Sequence, residues 1–249
     1  MSLPDVVSRE EWLAARKALL AEEKAATRAR DRLNTARRNL PMVKITKDYV
    51  FDGPDGPVRL RDMFGDYRQL ALQHVMFDPT WDAACPGCTA GVDEINDALI
   101  DHLHNRDTAF VLISRAPLDK LQAYAKDRGW NVPWYSSHNN EFNYDFHVTI
   151  DASKAPVLVN YRNPEELVPT DMAWILDAAD QPSEISGFSC FLRDGDDVFH
   201  TYSTFGRGTE ALGGAYGVLD LTALGRQEEW EEPKGRATKP KGADPTFTS

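Results

Sequence analysis

Nine largely apolar residues, Gln69 to Phe77 (QLALQHVMF), run through the seven-residue loop DPTWDAA into Cys85-Pro86-Gly87-Cys88. From Pro86 onward, Val92, Ile95, Leu99, Ile100 and Leu103 recur at helical spacing. An apolar run of this length reads as a strand buried on both faces, which needs helices packed over it. A second such strand, Thr108 to Ser114, is followed by a helix predicted from Pro117 to Gly129. The alternation of strand and helix implies an α/β layered domain with parallel pairing and a right-handed crossover. Cys85 then lies at a helix N-terminus, directly after a buried strand.

The rest of the chain arranges itself around this centre. Ser8 and Glu11 have capping-box spacing, and no Gly or Pro interrupts the sequence from there to Leu40, so one long helix is predicted. Trp12, Leu19, Ala26, Leu33 and Leu40 recur every seven residues, with Ala15, Ala29 and Ala36 beside them. Such a narrow stripe suits either the chain's own domain or a second copy, giving a homodimer through the N-terminal helix. Val43 to Phe51 and the turn Asp52 to Gly56 predict an entry hairpin, Ala155 to Tyr161 a strand, and Gly187 to Ser203 a closing hairpin. A last helix is predicted near Thr209 to Leu224. The domain plan is an amphipathic helix over 1–40, one domain over 41–225 and a disordered polar tail over 226–249.

Twenty-eight Lys/Arg against 39 Asp/Glu give a formal net charge of −11, which excludes nucleic acid or an anionic membrane as a partner held by long-range attraction. Residues 1–40 carry nine Lys/Arg against six Asp/Glu, leaving 19 against 33 in the remainder. No apolar run spans a membrane and the N-terminus lacks the order of a secretory signal, so a cytoplasmic location is expected. The three cysteines cannot staple an extracellular framework, and a pair two residues apart in a reducing compartment is redox-active or metal-binding.

A helix N-terminus stabilises a thiolate, which is the reactive form of cysteine. Cys85 is therefore the expected nucleophile. Pro86 suits the first helical position, and Cys88, one turn on, faces the same side and can resolve a mixed disulfide. The predicted activity is thiol-disulfide exchange on a small-molecule or protein disulfide, with no cofactor required. Arg115, at the end of the second buried strand, is expected to share a crevice with the Cys85 loop as a third catalytic group. Trp81, Trp130, Trp134 and Tyr135 are expected to wall that crevice. Two other readings stay open. Cys85 and Cys88 with His74 would make a soft copper site, or with Cys190 and a histidine a zinc site. The body would otherwise be a non-catalytic scaffold for the long helix.

The chain resembles the bacterial, thioredoxin-like family termed domain of unknown function 899. The resemblance rests on the Trp12 helix ending in Arg37, Arg38, Leu40 and Pro41, on CPGC at 85–88, and on SRAP at 114–117. It continues through Gly129-Trp130, PWYSS at 133–137, FHTYS at 199–203, and Arg207-Gly208. It implies a thioredoxin-like fold with a central mixed sheet flanked by helices. The order of elements is similar to that of peroxiredoxins, which place Thr or Ser three residues before the reactive cysteine, where this chain has Asp82. Thioredoxins carry a proline facing the dithiol, and Ser186 and Gly187 occupy the corresponding place here.

Overall fold

The computed structural model describes residues 6–209, 214–220, 222, 224–227, 229, 231, 232 and 234. Helix α1 (Arg9–Arg38) begins at a complete capping box in which the Ser8 hydroxyl accepts from the Glu11 amide. Only Asn34 and Arg38 of its residues are buried. Trp12, Leu19 and Leu33 are about half exposed, so the stripe is not covered by the chain's own domain. The short strands β1 (Val43–Lys44), β2 (Val50–Gly53) and β3 (Gly56–Arg59) follow, then the central strand β4 (Gln69–His74).

After the cysteine loop come α2 (Pro86–Asp93) and α3 (Asp97–His104), then β5 (Thr108–Ser114), α4 (Leu118–Arg128) and β6 (Trp134–Ser136). The spacing from Pro86 to Leu103 predicts one helix, but there are two. Asn96 accepts a hydrogen bond from the Leu99 amide and starts α3 afresh, as a short side-chain acceptor at an N-cap does. Helix α4 ends where Gly129 takes a left-handed conformation (φ 71°), which glycine adopts without a Cβ clash. The remaining elements are α5 (Phe142–Asp145), β7 (Thr149–Ile150), α6 (Pro164–Leu167), β8 (Ser183–Glu184), β9 (Gly187–Asp194), β10 (Asp197–Phe205) and α7 (Gly214–Leu219).

Eight strands form one sheet in the order β1-β10-β9-β4-β5-β6-β2-β3. β4 runs parallel to β5 and antiparallel to β9, which is antiparallel to β10. This inner quartet, with α2 and α3 crossing from β4 to β5 and α4 following β5, is the thioredoxin-like arrangement: a mixed sheet flanked by helices. β4 and β5 are buried almost throughout, as their apolar runs require. Ala71, Phe110, Leu112, Phe188, Cys190 and Cys88 pack on one face of the sheet. Leu70, Leu72, Val111, Phe142, Phe146 and Phe191 pack on the other.

Two expectations are corrected. The entry hairpin forms at the expected turn as β2–β3, but its first strand is broken, and β1 pairs with β10 at the opposite sheet edge. Ala155 to Tyr161 is not a strand. It folds back through a single bridge between Val159 and Arg162, over a small core of Ile150, Val159, Leu167 and Ile175. Where the residues assigned to the tail are described, Arg226 pairs with Asp220, and the Gln227 side chain donates to the Arg106 carbonyl. Glu231 meets Arg38 at 3.1 Å with both side chains buried. The other residues assigned to the tail, and Glu210 to Gly213 of the predicted last helix, lie outside the described residues.

Candidate functional site

Cys85 is the N-cap of α2 and Pro86 its first residue. The Cys85 amide donates to the Met76 carbonyl at 2.9 Å, and the Thr89 amide donates to the Cys85 carbonyl at 2.9 Å. The helix start is thereby tied to the end of the central strand. All three cysteines are free thiols; Cys85 is partly exposed, while Cys88 and Cys190 are buried. Burial, opposed by the Met76 amide and assisted by the charge and hydrogen bond of Cys85, pushes the Cys88 thiol up to about 12. Cys85 is the more accessible of the two thiols. Burial likewise pushes Cys190 up, opposed only weakly by Arg37.

The two cysteines open onto a cleft of about 570 Å³. Helix residues Ala90, Gly91 and Leu99, with Ile95, line it together with the sheet residues Phe110 and Phe188 and with Val218 of α7. Gln73, Glu94 and Thr209 add polar groups. Ser186 and Gly187, the residues in the place of the thioredoxin proline, lie in the same lining. A Cβ on Gly187 would stand 3.0 Å from both Phe205 and Val148, so glycine lets β9 start close beneath its neighbours.

Arg115 sits elsewhere and does not line the cleft. Its Nε donates to Glu184 at 2.7 Å, and its other arm is paired with Asp78. Glu184 also accepts from Thr149 at 2.9 Å. Burial raises Asp78, but hydrogen bonds from Thr80 and the Arg115 charge outweigh it and hold the carboxyl below its usual range. Glu184 lies deeper, and there burial wins over the same guanidinium and raises its carboxyl. Burial disfavours the Arg115 cation, yet the two carboxylates hold its proton more tightly than usual. The guanidinium is therefore committed to a buried ion-pair network.

The predicted aromatic wall is likewise elsewhere. Trp134 is buried and donates to the Ser114 hydroxyl at 3.0 Å, while Trp130 donates to Asp93 at 2.8 Å. Both, with Tyr135, line a separate cleft of about 550 Å³ beside α4. Trp81 packs against the core on the cysteine face of the sheet, but not in the cysteine cleft.

His74 borders the cleft, but its ring stacks on Phe142 and Phe146, which belong to the opposite face. Its Nε2 shares a proton with Ser189 at 2.8 Å, Ser189 with Ser203 at 2.7 Å, and Ser203 with His200 at 2.7 Å. Burial, and secondarily His200, push His74 down to about 3, so it is neutral. His74 is therefore not placed to complete a ligand set with Cys85 and Cys88. Among the described residues no three His, Cys, Asp or Glu side chains converge on a metal position.

The model of the family described as bacterial protein of unknown function (DUF899) matches residues 1–241. The chain belongs to this family. No curated protein matches this DUF899 sequence. Among solved structures, the DUF899 chain is similar to a Cys-to-Ser mutant of peroxiredoxin Q from Xanthomonas campestris, at 13% identity and TM-score 0.42 over 63% of this chain and 79% of that one. It is similar to peroxidoxin BcpB from Mycobacterium tuberculosis at 16% identity and TM-score 0.43, over 72% of this chain and 94% of that one. A mutant of PrxQ from Xylella fastidiosa gives 11% identity and TM-score 0.43, over 65% and 82%. The thioredoxin-like assignment rests on the strand order and directions given above. No helix among the described residues is long and apolar enough to cross a membrane.

Proposed function

We propose that this DUF899 protein is a thiol-disulfide oxidoreductase. Cys85 attacks a disulfide substrate, and Cys88 resolves the mixed disulfide to leave a Cys85–Cys88 bond. The observation that supports this reading is the asymmetry of the pair: a partly exposed cysteine at the N-cap of α2 and a buried thiol three residues on, both lining one cleft. A reducing compartment such as the cytoplasm would return the dithiol state. Peptide mapping after treatment with a disulfide oxidant tests this. An intramolecular Cys85–Cys88 bond is expected, and a trapped mixed disulfide on Cys85 in Cys88→Ser. Failure of the wild-type chain to form the internal bond overturns it.

A partner follows from α1. The exposed Trp12, Leu19 and Leu33 lie on a helix that spans about 45 Å at 1.5 Å per residue. The basic balance of residues 1–40 complements the acidic remainder of the chain. A second copy of the chain is the partner we propose for this stripe. The segment from Glu165 to Asp180 is a fitting receptor, because it exposes Val168 and Trp174 among five carboxylates.

A further inference from the structure

The cleft beside the dithiol is open to solvent and largely apolar: the partly exposed Ile95 and Leu99 and the exposed Ala90 form its wall with Cys85, over a packed floor of Phe110, Phe188 and Val218. Its volume, about 570 Å³, is that of a small-molecule site. No described Lys or Arg lines it, its carboxylate is Glu94, and the chain as a whole carries −11. Among the described residues an anionic ligand would meet Glu94 and no counter-charge, whereas an apolar group would leave water for an apolar wall.

We infer that the cleft selects neutral disulfides with apolar substituents, R–S–S–R, seating one R group against Ala90, Ile95 and Leu99. This rests on the dithiol reading of Cys85 and Cys88. The Cys85 thiolate attacks the near sulfur, forming Cys85–S–S–R and expelling RS⁻, which takes up the proton that Cys85 released. Cys88 then gives up its proton and attacks the Cys85 sulfur. The second RS⁻ leaves and takes that proton. Two electrons pass from the dithiol to the substrate, and the products are two RSH and the Cys85–Cys88 disulfide.

The test is the rate of Cys85–Cys88 oxidation by dimethyl, diethyl, dipropyl and dibutyl disulfide, each normalised to its reaction with free dithiothreitol. A buried methylene is worth about 0.8 kcal/mol, so the normalised rate is expected to rise about fourfold for each methylene that enters the cleft. Glutathione disulfide, which is anionic, is expected to fall below dipropyl disulfide, and Leu99→Gln to flatten the series. A flat series in a wild-type chain that dimethyl disulfide does oxidise refutes the selection and leaves the dithiol chemistry standing. Should no member oxidise the chain, the redox reading fails. Calorimetry of dibutyl against dimethyl disulfide on Cys85→Ser then judges the cleft: tighter binding of the longer chain supports it, and equal or absent binding refutes it.

Discussion

Alkylation of the two neighbouring thiols should separate them by a wide margin. Cys88 is moved from 9.0 to about 12, mainly by burial. At pH 7.5 a thiol at 9.0 is about 3% ionised and one at 12 about 0.003%, so Cys88 is expected to react roughly a thousandfold more slowly than an unshifted thiol through ionisation alone. Its rate should keep climbing tenfold per pH unit up to about pH 11, with no plateau between 8 and 10. Iodoacetamide labelling followed by quantification of the Cys85 and Cys88 adducts resolves the two sites. Cys85→Ser removes the charge and the sulfur hydrogen bond that help raise Cys88 but leaves its burial, so Cys88 should speed up only in part. Equal labelling of both thiols at pH 7.5, or a Cys88 plateau near pH 9, would refute the asymmetry on which the division into nucleophile and resolving thiol depends.

Arg115→Met strands two carboxylates that are nearly inaccessible, and urea denaturation at pH 7.5 should show a loss of about 3–5 kcal/mol. In the wild type the low-shifted Asp78 contributes stability above its unfolded value that is lost as pH falls, whereas the raised Glu184 contributes stability at low pH that is lost as pH rises. Without the cation both carboxyls move up, so the deficit should narrow toward about pH 4; a pH-independent deficit would contradict the network. Gly187→Ala forces a Cβ to 3.0 Å from Phe205 and Val148, and a thermal melt should report a cost of about 1–3 kcal/mol. Leu19→Glu combined with Leu33→Glu should convert a dimer to a monomer in sedimentation without lowering the melting temperature of the body. A wild-type chain that sediments as a monomer removes the second copy as the partner of α1.

The parts of the fold that could be read from sequence are those in which one local signal decides the outcome. The largely apolar runs at 69–77 and 108–114 read as buried strands, which form over Gln69–His74 and Thr108–Ser114, and Pro86 marks where α2 begins. Ser186 and Gly187 could be placed only through the resemblance to thioredoxins, and they line the same cleft as the cysteines. Arg115 could not be assigned in this way. An arginine after a strand looks the same whether it awaits an anion or serves Asp78 and Glu184, which are 37 and 69 positions away. Trp130 and Trp134 were equally ambiguous, since their place depends on which acceptor each indole finds, Asp93 or Ser114. The segment around 155–180 has no period because its small core is gathered from short turns. The cleft itself has no sequence signal: Ile95 and Leu99 look like ordinary helix-face residues until the cleft beside them is seen.

The pairing of β1 with β10 sets Val43 against His200, and Arg38 against Glu231. A ribosome makes the first member of each pair long before the second. At about 5–20 residues per second, Val43 waits roughly 8–30 s for its partner strand to be translated. Throughout that interval the amphipathic α1 and the unpaired edge strand are exposed to every other nascent chain nearby. Synthesis of β10, rather than emergence of β4 and β5, is therefore the earliest moment at which this protein can complete its sheet. A chain cut short before Asp197 lacks β10 and leaves β1 and β9 without their partner.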